Sequence, residues 1–236
     1  MIVFWRLLVV YYILAVLFYN RAFFAWRARR PVVSGCVQGG SFFLLSMLVL
    51  WPYLVMKWPF FHFFSLHGWQ CVILLSLFYV ANDRLLVFRA GQIKYHSLTF
   101  LTHDFLAVLF IFLASPLEVL YQTGNPVADS WAVFLVGGLV VTKMFSVFIY
   151  MVEQDFFGRD YPTIDESFVT MLMRLIFYLI VLLPGWRWLL WFFVWLWACQ
   201  IARKNRLMDF SRFALYFGIL GATAIGFLTK WSFYWK

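Results

Sequence analysis

Eight apolar runs follow one another along the chain, separated by short polar segments that carry most of its charge. Most of these runs approach the length of about 20 residues that a helix needs to cross the hydrocarbon core of a bilayer. The pattern predicts an all-α integral membrane protein, a bundle of about eight transmembrane helices with short loops. The runs cover roughly residues 2–20, 40–57, 66–82, 98–121, 131–152, 167–183, 188–202 and 212–228.

The composition excludes an ordinary soluble protein. The chain is 65% hydrophobic and 12% charged, whereas a soluble domain is about 45–50% apolar and about 25% charged. Eight spans of about 20 residues would use about 160 of the 236 residues. We therefore expect residues 1–236 to form a single polytopic transmembrane domain with no soluble domain, whose first run is a retained span. The third and seventh runs are short, so a tilted or partly re-entrant arrangement stays open for them.

The basic residues between the runs lie almost entirely in alternate loops. Lys and Arg accumulate in the cytoplasmic loops of membrane proteins, and the loops of the other side hold only Lys57 and Arg187. This asymmetry predicts both termini on the non-cytoplasmic side and, with few cysteines, favours a bacterial inner membrane. It also explains the net charge of +9 without a nucleic-acid partner. The cytoplasmic set comprises Arg21, Arg27, Arg29, Arg30, Arg84, Arg89, Lys94, Arg159, Arg203, Lys204, Arg206 and Arg212.

The candidate functional site consists of charged side chains that lie inside the predicted spans. A charge at the centre of a membrane helix costs about 2.5–3.5 kcal/mol on insertion scales, so it needs a partner or water. Asp104, Lys143 and Arg174 fall at similar depths in spans four to six, with His103 beside Asp104. We expect Asp104 to neutralise one cation and leave the other, preferably Arg174, as a candidate for binding a phosphate, a carboxylate or a lipid headgroup. A purely structural ion-pair network and snorkelling of the two cations stay open as alternatives.

Two further features concern the packing of the helices. Arg6 and Glu118 lie near the non-cytoplasmic ends of their spans, and we expect them to form a structural ion pair. Gly218, Ala222 and Gly226 recur every four residues along the last run, which predicts a smooth face that lets two helix backbones approach closely. Such a face serves either internal packing or contact with a partner subunit.

The longest polar segment joins spans five and six and is rich in acidic residues. Its sequence Thr163-Ile164-Asp165-Glu166 has the form of a capping box that opens a helix. Capping and solvation therefore account for part of its charge, while metal or substrate chemistry and docking of a basic partner stay open; we assign no metal ligands. The acidic residues of this cytoplasmic link are Glu153, Asp155, Asp160, Asp165 and Glu166.

The sequence carries none of the motifs HExxH, GxSxG, Walker A or GxGxxG that mark common catalytic and nucleotide sites. We expect no cofactor. Small loops and bulky aromatic faces favour a noncatalytic subunit of a transport, export or energy-converting membrane complex, surrounded by the lipid bilayer and other membrane subunits. The alternative is an integral-membrane transferase or hydrolase that acts on a lipid-linked phosphate, so catalytic activity stays open.

Overall fold

The computed structural model describes residues 2–18, 23, 26–27, 29–60, 64–90, 96–116, 130–158, 164–204 and 211–234. Long helices dominate this part of the chain, which confirms the predicted all-α class, and each of them overlaps one predicted apolar run. The helices are α1 (Ile2–Phe18), α2 (Pro31–Val49), α3 (Gly68–Ala90), α4 (His96–Ala114), α5 (Ser130–Phe157), α6 (Ile164–Leu182), α7 (Arg187–Lys204) and α8 (Arg212–Tyr234).

Among the described residues, four helical segments are long and apolar enough to cross a membrane. They are Pro31–Val49, Ser97–Ala114, Ser130–Phe157 and Arg212–Phe233. Helix α1 and the segment Phe168–Leu182 of α6 are apolar but shorter. The chain is therefore helical and suited to a membrane, while the count of eight spans and the side of the termini stay predictions.

The chain divides into two compact units, Met1–Ala132 and Val133–Trp235. Within the first unit, α1 packs against α2 and α4, and α3 packs against the same two helices. Ten of the seventeen residues of α1 are buried, so α1 supplies much of the core of this unit. Those residues are Val3, Phe4, Leu7, Leu8, Val9, Val10, Tyr11, Tyr12, Leu14 and Ala15.

Helix α2 begins and ends earlier than the apolar run at 40–57 suggests. Its start is set by Pro31, because proline is favoured at the first position of a helix, where no backbone N–H is needed. Its end at Val49 precedes a short 3₁₀ turn, Trp51–Tyr53, that contains a proline. Residues Ser34, Gly35 and Gln38, which the sequence pattern left outside the span, are buried.

A small β-hairpin follows this turn and is the exception to the all-α prediction. Strands β1 (Lys57–Phe60) and β2 (Phe64–His67) pair antiparallel. Trp58 is 1% exposed, and its Nε1 donates a hydrogen bond to the Tyr53 carbonyl oxygen over 3.1 Å. Gly68 starts α3 directly against this indole, where an added Cβ would lie 2.8 Å from a ring carbon. Through Trp58, the hairpin therefore packs between the end of α2 and the start of α3.

In the second unit, α6 is central, because α5, α7 and α8 all pack against it. Helix α5 contains a π-helical turn at Val140–Met144. Helix α6 is followed by a tight turn in which Gly185 has φ 64°, the left-handed region that favours glycine. The buried core of the unit consists of Val141, Met173, Phe177, Tyr178, Cys199, Leu215, Ile219 and Ala222.

The far end of α8 closes this turn. Lys230 Nζ donates hydrogen bonds to the carbonyl oxygens of Val181 and Leu183 over 3.1 and 2.6 Å. These carbonyls belong to the last turn of α6 and its continuation, where no further helical N–H follows to satisfy them. The ammonium group also lies 5.9 Å from the ring centroid of Trp188. Lys230 thus acts as a C-terminal cap for α6 and fixes α8 against it.

Candidate functional site

Asp104 is held by two tyrosines of α1. The hydroxyl of Tyr11 donates to Oδ1 over 2.9 Å, and the hydroxyl of Tyr12 donates to Oδ2 over 3.3 Å. The carboxylate therefore links α4 to α1 inside the first unit. The predicted partners Lys143 and Arg174 belong to the second unit, and the coupling of Asp104 to either of them stays a prediction.

A second buried pair in the same unit was not predicted from the sequence. Arg27 Nη1 contacts Asp83 Oδ1, and the two side chains are 2% and 4% exposed. The sequence pattern placed Arg27 in a cytoplasmic loop and ended the third run at residue 82, just before Asp83, but α3 continues to Ala90. The signal was present in Leu85-Leu86-Val87-Phe88, which keeps the segment apolar after the charges.

The neighbours of this pair connect α3 to α2 and α4. Arg84 Nη2 donates to the Pro31 carbonyl oxygen over 2.5 Å and to Ser34 Oγ over 2.9 Å. Asn82 Nδ2 donates to the carbonyl oxygen of His103 over 3.1 Å, and His103 itself is 4% exposed. We call the buried group in this unit the first polar cluster; it consists of Tyr11, Tyr12, Arg27, Tyr79, Asn82, Asp83, His103 and Asp104.

Arg6 caps the end of α2. Its Nη1 donates to the carbonyl oxygen of Val49 over 3.0 Å, and its guanidinium lies 5.4 Å from the ring centroid of Tyr53 and 5.9 Å from that of Trp131. The predicted partner Glu118 lies outside the described residues. The arginine therefore has a structural position at a helix C-terminus, where a cation is favourable.

Arg174 is the most deeply buried cation in the described part of the second unit, with 3% of its surface exposed. Its Nε donates to the Thr170 carbonyl oxygen over 3.0 Å. Its Nη1 is buried and has no hydrogen-bond partner among the residues that the structure describes. The aliphatic stem lies against Gly218, where an added Cβ would come within 3.0 Å of Cδ. The absence of a side chain at Gly218 therefore gives the arginine its space.

Glu153 lies near the end of α5 and is half-buried. It also accepts a hydrogen bond from Ser211 Oγ. The same Ser211 oxygen accepts a hydrogen bond from the backbone N–H of Ala214 over 2.8 Å, which is the geometry of a helix N-cap. Glu153 thus joins the end of α5 to the start of α8.

Lys143 lies within the π-helical turn of α5, and this turn packs against α6. Its side chain is half-buried. Single π-helical turns inside α-helices occur frequently at functional sites, because they displace side chains and release backbone groups. The hydroxyl of Thr142 within the same turn donates to the Gly138 carbonyl oxygen over 2.7 Å. The pattern of apolar residues does not predict this turn.

Part of the acidic link belongs to helices. Glu153 and Asp155 lie in the last turns of α5, which ends at Gly158 with φ 61°. Asp160 lies outside the described residues, and so do the side chains of Asp165 and Glu166 in the first turn of α6, so the capping box stays a prediction. Among the described residues, no three His, Cys, Asp or Glu side chains are grouped closely enough to hold a metal ion.

The small-residue face of α8 packs against α6 of the same chain. Gly218 faces Arg174, Ala222 is fully buried, and Gly226 faces Val181, where an added Cβ would lie 2.9 Å from the valine Cβ. Contact of this face with a partner subunit is untested.

The polar side chains of the two units differ in what they can bind. The first polar cluster binds helices to each other, whereas Arg174 keeps donor capacity that suits the planar arrangement of oxygens in a phosphate or carboxylate. Comparison with known proteins adds no constraint, since no family model, curated protein or solved structure matches the chain.

Proposed function

We propose that the chain is a noncatalytic subunit of a transport, export or energy-converting complex of a bacterial inner membrane, with an anion-binding position at Arg174. The observation that supports it is the use of the carboxylates on the helices. Asp104 binds α4 to α1, Asp83 binds Arg27, and Glu153 binds the start of α8. Charges committed to such contacts suit a scaffold that presents a fixed set of helices to its partners.

The anion-binding position consists of Arg174, with Lys143 as the second cation. Arg174 offers a buried guanidinium N–H, and the π-helical turn that carries Lys143 packs against the helix that carries Arg174. Arginine binds oxyanions through two parallel hydrogen bonds, which a lysine does not provide. The ligand we propose is a phosphate or carboxylate from a substrate or a lipid headgroup.

Extraction in a mild detergent followed by native mass spectrometry tests the subunit assignment. We expect the chain to appear with other membrane proteins at a fixed stoichiometry. An isolated monomer that turns over a polyprenyl or glycerolipid phosphate would contradict it and would favour the second candidate, a lipid-phosphate transferase or hydrolase. The buried N–H of Arg174 is the observation that favours this second candidate.

Substitutions of Arg174 test the anion-binding position. Arg174→Gln is expected to abolish retention of anions, or any activity, while the protein stays folded; Arg174→Lys keeps part of it, because the charge remains without the two-pronged donor. The measurements are the phosphorus content of the purified protein and its melting temperature. If the melting temperature falls first and anion content only follows the loss of folded protein, Arg174 is structural.

A further inference from the structure

A cavity of about 520 Å³ lies beside the last turns of α7. It opens at the end of the helix that the charge asymmetry assigns to the cytoplasmic side. No residue of the proposed anion-binding position lines it, so it is a separate feature of the second unit. The described lining residues are Trp197, Gln200, Ile201, Arg203 and Lys204.

Two cations, Arg203 and Lys204, line this cavity. Arg203 and Lys204 form no ion pair or hydrogen bond with any residue in the described part of the chain. Both lie in the last turn of α7, at positions where a cation is favourable. The charge of the lining therefore selects an anionic ligand.

The rest of the lining is apolar and points to a ligand that also has a hydrocarbon part. Trp197 and Ile201 are 69% and 38% exposed. At helical spacing they continue the row of Leu190 and Val194, which are also exposed, along one side of α7. A path for an acyl chain thus leads from the cationic end toward the middle of the helix. A soluble anion would make no use of this path.

Gln200 fixes the wall of the cavity. Its Nε2 donates to the hydroxyl of Tyr216 on α8 over 3.0 Å, which holds α7 and α8 together at this level. This hydrogen bond therefore anchors one lining residue of α7 to α8. Tryptophan is in addition enriched at the level of lipid headgroups, where its ring meets both the apolar core and water.

We propose that this cavity binds an anionic phospholipid of the cytoplasmic leaflet, with its phosphate on Arg203 and Lys204 and an acyl chain along Trp197 and Ile201. Basic pockets at the cytoplasmic ends of membrane helices suit anionic headgroups, because this leaflet is negatively charged. The site does not depend on the proposed anion-binding position at Arg174.

Native mass spectrometry of the purified protein with an equimolar mixture of phosphatidylglycerol and phosphatidylcholine tests the proposal. Because each cation near the membrane surface adds about fivefold to the affinity for anionic lipid, we expect a preference for phosphatidylglycerol of about thirtyfold. The double variant Arg203→Gln with Lys204→Gln should bring this preference close to one. Ile201→Trp should lower phosphatidylglycerol binding with the charges intact, because the larger side chain fills the cavity.

The matched control removes the same number of charges from two loops that the charge asymmetry assigns to the other side of the membrane. Lys57→Gln combined with Arg187→Gln should keep the preference, since both residues are exposed and neither lines the cavity. Equal binding of both lipids by the unmodified chain, an unchanged preference in the Arg203 and Lys204 variant, or an equal loss in the control would overturn the proposal. Displacement of the lipid by millimolar inorganic phosphate would assign the cations to a soluble anion instead.

Discussion

Burial of Arg27 and Asp83 removes two charges from water, and this cost is offset only while each side chain faces the other. Loss of either partner leaves an uncompensated charge inside the first unit. The same reasoning applies to Asp104, whose two oxygens accept hydrogen bonds from Tyr11 and Tyr12. At the scale of single residues, the stability of the first unit therefore depends on charged and polar side chains that keep their partners.

Arg27→Met or Asp83→Asn alone should lower the free energy of unfolding by about 3–5 kcal/mol, because each leaves or weakens a buried charge without its partner. The double variant Arg27→Met with Asp83→Leu should lose much less. Melting curves in detergent measure the difference, and Arg29→Met serves as a control, because Arg29 is exposed. If the loss in the double variant equals the sum of the losses in the two single variants, the pair is not coupled.

Replacement of Asp104 by Leu should cost about 1–3 kcal/mol for each tyrosine hydroxyl left without an acceptor. Tyr11→Phe and Tyr12→Phe in that background should then restore part of the stability, which a double-mutant cycle measures.

The predicted link between Asp104 and Lys143 of the second unit has its own test. If Lys143→Met recovers stability lost in Asp104→Asn, these residues interact; strict additivity would show that they do not.

At the scale of elements, close approach of helices depends on positions without side chains. Gly221 of α8 lies so close to the ring of Phe145 on α5 that an added Cβ would fall 1.9 Å from a ring carbon. Gly40 of α2, in contrast, has nothing within 4 Å of such an atom. An alanine would therefore clash with the Phe145 ring at position 221 and meet open space at position 40.

Gly221→Ala should destabilise the second unit by about 1–3 kcal/mol, since the Phe145 ring or the helix must move. Gly40→Ala should be stabilising by about 0.5–1 kcal/mol, because alanine loses less backbone entropy in a helix. Thermal unfolding of both variants by circular dichroism distinguishes these effects. A neutral Gly221→Ala would mean that α5 and α8 are not in close contact.

Sequence patterns locate helices well where apolar runs are long, as in α1, α5 and α8. They fail where a helix stays polar at one end. The start of α2 contains Ser34, Gly35 and Gln38, which bury small or amide groups without raising hydropathy. The contacts of Arg27 depend on its distance to Asp83 in space, which a hydropathy pattern does not contain. The β-hairpin was missed because its four-residue strands are shorter than any run that the pattern detects.

At the scale of the whole molecule, the charge asymmetry makes a prediction about topology. Reporter fusions after Arg30, Lys94 and Arg206 should behave as cytoplasmic, and fusions at Gly124 and the C-terminus should behave as external, since Lys and Arg accumulate in the cytoplasmic loops of membrane proteins. Paired alkaline phosphatase and fluorescent-protein reporters measure this. A cytoplasmic C-terminus would mean an odd number of spans and would place the lipid cavity of α7 in question.

The cap that Lys230 forms on α6 also sets a length. Arg212 at the start of α8 and Lys230 near its end mark two levels of fixed positive charge, and the 18 residues from one to the other measure about 27 Å at about 1.5 Å per residue. A typical hydrocarbon core is about 30 Å thick. If α8 crosses the bilayer, a thicker membrane would therefore have to thin around it, and a thinner one would make it tilt.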